Sequence, residues 1–515
     1  MRAQPFPPAP GVGAARRSPR AADTPALRSR RELRPGIALA FAYAAALALA
    51  RLIDVSEDGK FMLLFGTTFS LVLVFAALVH PRWYLLLTVA YLPFSRVYAL
   101  PVAGIPGANL TNLLLLLGPV AIASSRMQGS PRLRFGRVEK LVILFVTVAS
   151  LSLVPSYLSG SFGMGELIQI YRAWLAPILF FFIARGLVRD REDVRGVLEV
   201  LAWTTFLVAA CTWKEGIDRG SRGTIDASRV PGLMVQANIM GAFLVYYAMV
   251  LLAMGISRRP WRKGIPYLVG FLIAARATLY TFSRGAYMAL GAGSVTVLTL
   301  ANPAFLVVAG GGGVVAVALF PTLIPESIRE RITGTTTQRR VRPGEDAISP
   351  QLDRSSANRL ILWRAAARMI AEHPFVGIGV GRFEEMIGYY TETPIKKGDP
   401  RDAHNAFILL AGEMGVPSLL LLLLLYVAWS AVALRIHRKH RHPVDRSLAL
   451  AFLGSMMAVL VSCMVGSRFS DEALIAWFWM LAALIVVVGR LREPPRSQKR
   501  RRSAHPALVQ PQPAA

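Results

Sequence analysis

Three arginines and a histidine lie at the ends of apolar segments, where an ionisable side chain is costly unless it has a partner or a function. They are Arg172 in QIYRAWLAPILFFF, Arg284 in TLYTFSRGAYMAL, Arg359 in SANRLILW and His404 in DPRDAHNAFILL. Any one arginine is equally well explained as an interfacial side chain that reaches lipid phosphate. If they share one face of the protein, their planar guanidinium groups favour a polyanion such as a diphosphate, which they bind in bidentate fashion.

His404 would add proton transfer to such a site. Near neutral pH an imidazole can take a proton from a hydroxyl as that hydroxyl attacks. The alternative is a structural role at the start of a helix, with Asn405 or Asp402 as its N-cap. For an isolated His-Asn pair the structural role is favoured, so the spacing alone does not identify a catalyst.

The composition is typical of a membrane protein with many spans. Of 515 residues, 54% are hydrophobic and only 17% are charged, and the mean hydropathy is +0.46. The net charge is +28, but the basic residues cluster in short connections between apolar runs, so we predict no nucleic-acid partner. Cys211 and Cys463 lie in apolar segments without a CxxC spacing, and we predict no metal site.

About 14 apolar segments approach the roughly 20 residues that a membrane helix needs. They are centred on residues 36–53, 61–79, 83–100, 110–124, 140–158, 167–187, 197–213, 232–256, 265–282, 285–301, 304–322, 417–434, 447–466 and 473–489. The basic connections SSRMQGSPRLRFGR, RGLVRDREDVR, SRRPWRKG and RIHRKHRHPVDR fall on the same side as both termini. Because positive charge is retained inside, that side is predicted to be the cytoplasm.

The segments divide the chain into five parts. We predict a disordered basic tail over 1–34, the first part of a helix bundle over 35–322, and a long outer loop over 323–416. C-terminal spans over 417–490 and a second basic tail over 491–515 complete the chain. This topology places Arg172, Arg284, Arg359 and His404 at the outer face. A loop as long as 323–416 between packed spans is usually functional.

An amphipathic helix is predicted within the outer loop. Leu360, Trp363, Ala367 and Ile370 recur at helical spacing, and Pro374 ends the helix. It would lie at the membrane surface or over the bundle. The following GIGVGRF, residues 377–383, lacks the context of a nucleotide-binding loop and is predicted to form a tight turn. Asp471 and Glu472, also on the outer side, could pair with Arg468 or assist the site.

Four segments in this order resemble the O-antigen ligase and Wzy-type polymerase superfamily of bacterial inner-membrane proteins. They are RVPGLMVQANIMGAFL, TFSRGAYMAL, NRLILWRAAARMIAEHPFVGIGVGRF and HNAFILLAGEMGVPSLLLLLL, and they cover roughly residues 225–435. In the last segment His404 is followed eleven residues later by Gly415, a spacing that the family shows at the end of its large periplasmic loop. The resemblance implies an all-α polytopic transmembrane bundle of about 12–14 spans, GT-C-like, with one long periplasmic loop.

The resemblance also implies an activity: metal-independent transfer of a glycan from undecaprenyl diphosphate to an acceptor hydroxyl, without a cofactor. The acceptor would belong to a glycan, a lipid A core or a protein, and membrane lipids would surround the enzyme in the bacterial inner membrane, with both termini cytoplasmic. Ligase and polymerase share these motifs, so both remain open.

Carried residue by residue, the resemblance gives each site residue a role. His404 looks like the general base and Arg284 like a diphosphate ligand. Arg172 and Arg359 would be further ligands. Asn405, Gly415 and Asn238 would be supporting residues.

Two other classes compete with an enzyme. A transporter of a small anion would place its charged residues near the centres of its spans and show repeat symmetry. Here the charged candidates crowd one interface and no repeat is evident. In a scaffolding protein the positive groups would serve only as anchors, and substitution of His404 separates that class from an enzyme.

Overall fold

The protein is an all-α bundle, as the sequence predicts. The computed structural model describes residues 25–53, 59–98, 109–130, 134–220, 228–319, 354–392 and 401–491, and within these ranges it contains α-helices, short 3-10 turns and no strand. Of the predicted parts, residues 1–24 of the first basic tail, residues 323–353 and 393–400 of the outer loop, and the second basic tail (491–515) apart from residue 491 lie outside the described residues.

Seventeen α-helices follow one another in these ranges. They are α1 Pro25–Leu52, α2 Gly59–Val79, α3 Pro81–Tyr91, α4 Leu110–Met127, α5 Arg137–Ser150, α6 Leu153–Leu158, α7 Met164–Leu187, α8 Arg191–Arg219, α9 Ala237–Ser257, α10 Ile265–Leu279, α11 Arg284–Ala301, α12 Pro303–Leu319, α13 Arg354–Glu372, α14 Phe383–Met386, α15 Ala406–Lys439, α16 Pro443–Cys463 and α17 Glu472–Val488.

Two helices form the centre of the bundle because they are apolar on every side. Every residue from Met240 to Gly255 in α9 and from Ala473 to Val488 in α17 is buried. A helix that is apolar all round has no face for water and must be enclosed by other helices. Helix α9 packs on α10, α11 and α16, while α17 packs on α7, α16 and the 3-10 turn that follows α3.

Nine helices of the described chain are long and apolar enough to cross a membrane, fewer than the 14 predicted segments. The segment predicted over 83–100 is the clearest difference. Its helix α3 has only 11 residues, because Pro81 starts it and a 3-10 turn containing Pro93 ends it, and residues 84–94 are all buried. Helix α10, at 15 residues, is also shorter than a typical span.

The C-terminal end of the predicted long loop and the end of the predicted first tail differ from the structure's helix bounds. Helix α15 begins at Ala406 rather than near residue 417, and it contains a break at Gly415, where φ is 82° and ψ is 162°. At the N-terminus, α1 begins at Pro25, so residues 25–34 of the predicted tail are helical. The sequence suggested a later start because Arg34 and Pro35 interrupt the apolar pattern.

The break at Gly415 is held by the glycine-rich turn 377–381. Gly377, Gly379 and Gly381 all have positive φ, as expected for a tight turn. The backbone N–H groups of Ile378 and Gly379 donate to the carbonyls of Gly412 and Glu413, at 2.9 and 3.1 Å. These carbonyls lose their helical partners at the break, and the turn satisfies them.

The amphipathic helix exists as predicted, but its buried face is different. Helix α13 buries Leu362, Ala365, Ala366 and Met369, while Ala367 is exposed and Leu360, Trp363 and Ile370 are half-buried. The four buried residues pack with Ile378, Phe383, Ile387 and Ala403 in a small core of their own. Contacts with the glycine-rich turn and with Ala403 decide which face of the helix is buried.

The end of the bundle where α17 finishes carries a network of buried carboxylates and arginines. Glu139 accepts from Arg185 at 2.9 Å and from Arg490, which follows α17. Asp445 accepts from Arg191 at 3.0 Å and contacts the Nδ1 atom of His440 at 2.8 Å. Arg185, Arg191, His440 and Asp445 belong to the predicted cytoplasmic connections, and they lie together at one end of the bundle, opposite the start of α17.

Candidate functional site

The connection between α16 and α17, residues 464–471, is the point where two of the resembling segments meet. We call it the α16–α17 turn. Asn405 donates through Nδ2 to the carbonyl of Met464 at 3.2 Å. Gly285 lies so close to the side chain of Val465 that a Cβ atom there would be 2.5 Å from its Cγ2 atom. The segments around His404 and Arg284 therefore flank the same turn.

His404 is held by its neighbours immediately before α15. Its Nδ1 atom is 3.1 Å from Oδ2 of Asp402, and Oδ1 of Asp402 accepts from the hydroxyl of Ser467 at 2.7 Å. Asn405 is the N-cap of α15, since its side chain accepts from the N–H groups of Phe407 and Ile408. The structure thus assigns the cap to Asn405, and the contacts of His404 and Asp402 are of another kind.

The carboxyl of Asp402 is kept ionised by its contacts. Burial opposes its charge, but hydrogen bonds from the His404 side chain and from Ser467, together with the backbone N–H of His404, lower its pKa below the usual 3.8. A carboxylate next to Nδ1 favours the tautomer with its proton on Nδ1. The Nε2 atom of the half-buried His404 ring is then the basic nitrogen, which is the state that a general base needs.

Arg284 is the first residue of α11, and the chain before it is strained. Phe282 is buried and has a φ of 49°, a region that bulky side chains rarely adopt. The carbonyl of Thr281 accepts from Arg229 Nε at 3.2 Å, and Arg229 Nη2 donates to Asn238 at 2.5 Å. Asn238 therefore lies at the site end of the bundle and links two of the sequence segments through Arg229.

Three of the four segments that carry the family resemblance each contain a residue with strained backbone. Among the described residues, the non-glycine residues with positive φ are Val235 at 63°, Phe282 at 49° and His404 at 46°. Each lies in a different segment that carries the family resemblance, a few residues from Asn238, Arg284 and Asn405 respectively. Such strain costs about 1–3 kcal/mol per residue and persists where the surrounding structure fixes it, often at functional sites.

Two acidic residues at the start of α17 pair with arginines from other helices. Asp471 lies 2.7 Å from Arg96, and Glu472 lies 3.5 Å from Arg172. Burial raises the pKa of Asp471, with Arg96 and Arg468 acting in the opposite direction. The sequence left open whether these carboxylates pair with Arg468 or assist the site. Their ion pairs are with Arg96 and Arg172 rather than with Arg468.

Arg468 is a buried cation on the α16–α17 turn. It is only 8% exposed, and its Nε atom has no hydrogen-bond partner in the part of the chain that the structure describes. A guanidinium in that position is costly unless an acceptor reaches it. The turn therefore holds a donor that an anionic ligand could satisfy.

Arg359 lies on α13, one helical turn before Trp363, and is half-buried. The indole of Trp363 donates to the carbonyl of Ala403 at 2.8 Å, which joins α13 to the residue before His404. All four predicted site residues thus lie at one end of the bundle. Arg284 and His404 are beside the α16–α17 turn. Arg172 is placed there by its ion pair with Glu472, and Arg359 by the contact of α13 with Ala403.

An apolar groove of about 610 Å³ runs along α7 between α4 and α6. Its walls include Leu115, Tyr157, Leu167 and Leu175, and Arg172 is the single charged residue among those that line it. Through the Glu472 ion pair this arginine connects the groove to the start of α17. The volume lies in the range of small-molecule sites.

Sequence reasoning missed Asp402, Arg96 and Arg229 as members of this site. Arg229 precedes a 3-10 turn outside the described helices, so the cost of a charge in the membrane did not single it out, whereas Arg96 lies within the predicted segment 83–100 and was overlooked there. The sequence suggested Asp402 only as a cap. Its DxH spacing to His404 was the available signal, since a carboxylate two residues away can reach the imidazole.

Comparison with known proteins agrees with the resemblance found in the sequence. The family model described as O-antigen ligase matches residues 269–423. The matched range contains Arg284, Arg359, His404, Asn405 and Gly415, whereas Arg172 and Asn238 precede it. No curated protein matches the chain. The resemblance to the O-antigen ligase superfamily is confirmed over this range, and the chain is a multi-pass membrane protein.

Proposed function

From the match of residues 269–423 to the O-antigen ligase model, which supports a membrane enzyme of polysaccharide assembly, we propose the following reaction. The protein transfers a glycan from an undecaprenyl-diphosphate-linked donor to an acceptor hydroxyl at the periplasmic face of the bacterial inner membrane. The observation that carries the proposal is the imidazole of His404, fixed through Nδ1 by Asp402 beside a turn that holds the buried Arg468.

The charges at this end of the bundle suit a diphosphate leaving group. Arg284 would bind it, with Arg172 and Arg359 as further ligands, as predicted. Arg468 supports the assignment, because phosphate oxygens would supply an acceptor for its Nε atom. The groove beside Arg172 would receive part of the apolar chain of the carrier lipid. A small-anion transporter would instead need its charged residues near the middle of its spans.

The proposed reaction needs little covalent chemistry from the protein. The acceptor oxygen attacks the anomeric carbon, its O–H proton passes to Nε2 of His404, and the bond between the anomeric carbon and the diphosphate oxygen breaks. The lipid diphosphate leaves with the electron pair of that bond, and the arginines stabilise its charge. The side chains therefore contribute positioning, charge stabilisation and proton acceptance.

Substitution of His404 by Asn tests the base. Asn tolerates positive φ, so the strained backbone at 46° can be kept while the basic nitrogen is removed. We expect loss of about 10²- to 10⁴-fold in transfer, the usual contribution of a general base. The assay measures transfer from an undecaprenyl-diphosphate-linked oligosaccharide in membranes, with protein amount checked by immunoblot. Unchanged transfer by well-inserted His404→Asn would refute the proposed base.

Substitution of Arg284 by Lys tests the anion site. A lysine keeps the charge but lacks the planar fork for bidentate binding, so the Michaelis constant for the donor should rise and the maximal rate should fall. Arg364 on α13 is exposed, and Arg364→Lys is the matched control. Equal kinetics for the two Lys variants would count against Arg284 as a diphosphate ligand.

The glycan profile of a deletion strain separates the two finer activities. Loss of long chains with a single capped unit remaining indicates a polymerase. Accumulation of lipid-linked polymer indicates a ligase.

A further inference from the structure

We infer that Asp402 is a positioning residue that holds His404 in the tautomer and orientation required for proton acceptance. This inference rests on the proposed function and adds a second residue to it. Sequence and family resemblance assign Asp402 no role beyond a possible helix cap, a role that the structure gives to Asn405.

The carboxylate of Asp402 joins two segments, the loop before α15 and the α16–α17 turn. Oδ2 of Asp402 contacts Nδ1 of His404 at 3.1 Å, and Oδ1 accepts from the Ser467 hydroxyl at 2.7 Å. Ser467 is on the α16–α17 turn, so the carboxylate is anchored outside its own loop. The side chains of Asp402 and His404 are 34% and 33% exposed, which leaves room for a substrate to reach the ring.

This arrangement gives the carboxylate two effects on the imidazole. Accepting the Nδ1 proton leaves the lone pair on Nε2, where a substrate hydroxyl can use it. The negative charge also stabilises the imidazolium that forms when the ring takes the proton. The same two effects are expected wherever a carboxylate orients a histidine base through its other nitrogen.

His404 needs such support because its backbone is strained. Its φ of 46° lies in the left-handed region, so the local chain conformation alone does not fix the ring. The Asn405 cap on one side and the Asp402 contacts on the other hold the residue between α15 and the α16–α17 turn. Removing the carboxylate would leave the ring free to rotate and to exchange tautomers.

The test is the pH profile of transfer by Asp402→Asn in membranes, with undecaprenyl-diphosphate-linked oligosaccharide as donor. Without the carboxylate the imidazolium loses stabilisation, so the acid limb of the profile should move to lower pH. The maximal rate should fall about 10- to 100-fold, as for other residues that orient a functional histidine, with the donor Michaelis constant nearly unchanged. The other charged groups on elements packed against this loop stay in place: Arg284, Arg359, Glu413, Arg468 and Asp471.

Ser467→Ala is the matched control, since it removes one hydrogen bond to Asp402 but keeps its charge. Its acid limb should stay in place, with a smaller loss of rate. Should Asp402→Asn not accumulate in the membrane, Asp402→Glu replaces it. The longer carboxylate keeps the acid limb but lowers the maximal rate through poorer alignment, and an unchanged maximal rate would overturn the inference.

The outcomes separate this inference from the proposed function. If His404→Asn abolishes transfer while Asp402→Asn keeps the wild-type rate and pH profile, the base stands and the positioning role is wrong. If His404→Asn transfers normally, the proposed base is wrong and the role of Asp402 falls with it.

Discussion

Gly415→Ala is expected to weaken both the fold and the activity, because two independent constraints require glycine at this position. The backbone has φ 82° and ψ 162°, a region that is essentially restricted to glycine. A Cβ atom would also lie 2.2 Å from the carbonyl oxygen of Phe375 and 2.5 Å from its carbonyl carbon. These are backbone atoms, which cannot rotate away as a side chain would.

The size of the effect follows from these two constraints. Forcing a non-glycine residue into such a conformation costs about 1–3 kcal/mol. Overpacking against a fixed neighbour costs about 1–3 kcal/mol more. Together they amount to about 2–6 kcal/mol. Relief by shifting residues 374–376 would stretch the 2.8 Å hydrogen bond from Val416 N to the Pro374 carbonyl, so relaxation has its own cost.

The measurement is the apparent thermal midpoint in detergent, at one scan rate because membrane proteins often unfold irreversibly, together with transfer activity in membranes. Gly291→Ala is the matched control. Gly291 lies in α11, where a Cβ atom would meet nothing within 4 Å, and Ala in a helix interior is favoured by about 0.5–1 kcal/mol. If the two variants unfold at the same temperature and transfer equally, the close approach at Gly415 has no energetic consequence.

Three further outcomes can be measured. Gly285→Ala should lower activity because its Cβ would lie 2.5 Å from Val465 Cγ2. The double variant with Val465→Ala should recover most of the lost activity. Independent, additive losses from the two substitutions would contradict this contact. Asn405→Ala should lower stability by about 1 kcal/mol through loss of the helix cap, and full stability and activity in this variant would contradict the cap. Asn405→Asp should keep the cap but lose the hydrogen bond to the Met464 carbonyl. Because the folded pKa of Asp402 lies below 3.8, its stabilising contribution is present above that value and is lost as pH falls through the folded pKa. The stability difference between wild type and Asp402→Asn should therefore not shrink between pH 7 and about 4 and should shrink below it, and a difference that already shrinks above about pH 5 would refute the lowered pKa.

Composition and apolar pattern were enough to predict the all-α membrane bundle, because each buried helix must be apolar over its length. They did not give the lengths of the individual helices. Segment 83–100 satisfied the length rule, but a proline at each end leaves α3 with 11 residues, most of them enclosed by protein. Hydropathy does not distinguish a helix surrounded by lipid from a short one surrounded by other helices.

Of the site, the sequence indicated the residues whose charge is costly in an apolar segment, namely Arg172, Arg284 and His404. It could not show that Arg96 pairs with Asp471 or that Ser467 anchors Asp402, because these partners lie far along the chain. Nor could it orient α13, because tertiary contacts decide which face of that helix is buried. The strain at His404 likewise depends on neighbours that only the folded chain brings together.

The short central helices affect how deep the candidate site lies in the membrane. Helix α17 has 17 residues, about 26 Å at 1.5 Å per residue, whereas the hydrocarbon layer is about 30 Å thick. Arg172, which pairs with its first residue, lies eight residues after the start of α7, about 12 Å along that helix. From both lengths we expect Arg172 and the start of α17 to lie below the lipid headgroups, and depth-dependent quenching of a fluorophore at position 470 would measure this. In such a recess water would be scarce and salt would screen little, so each proposed arginine–phosphate contact would be stronger than at an open surface. A carrier lipid would meet these arginines without leaving the bilayer, whereas the hydrophilic acceptor must descend to them.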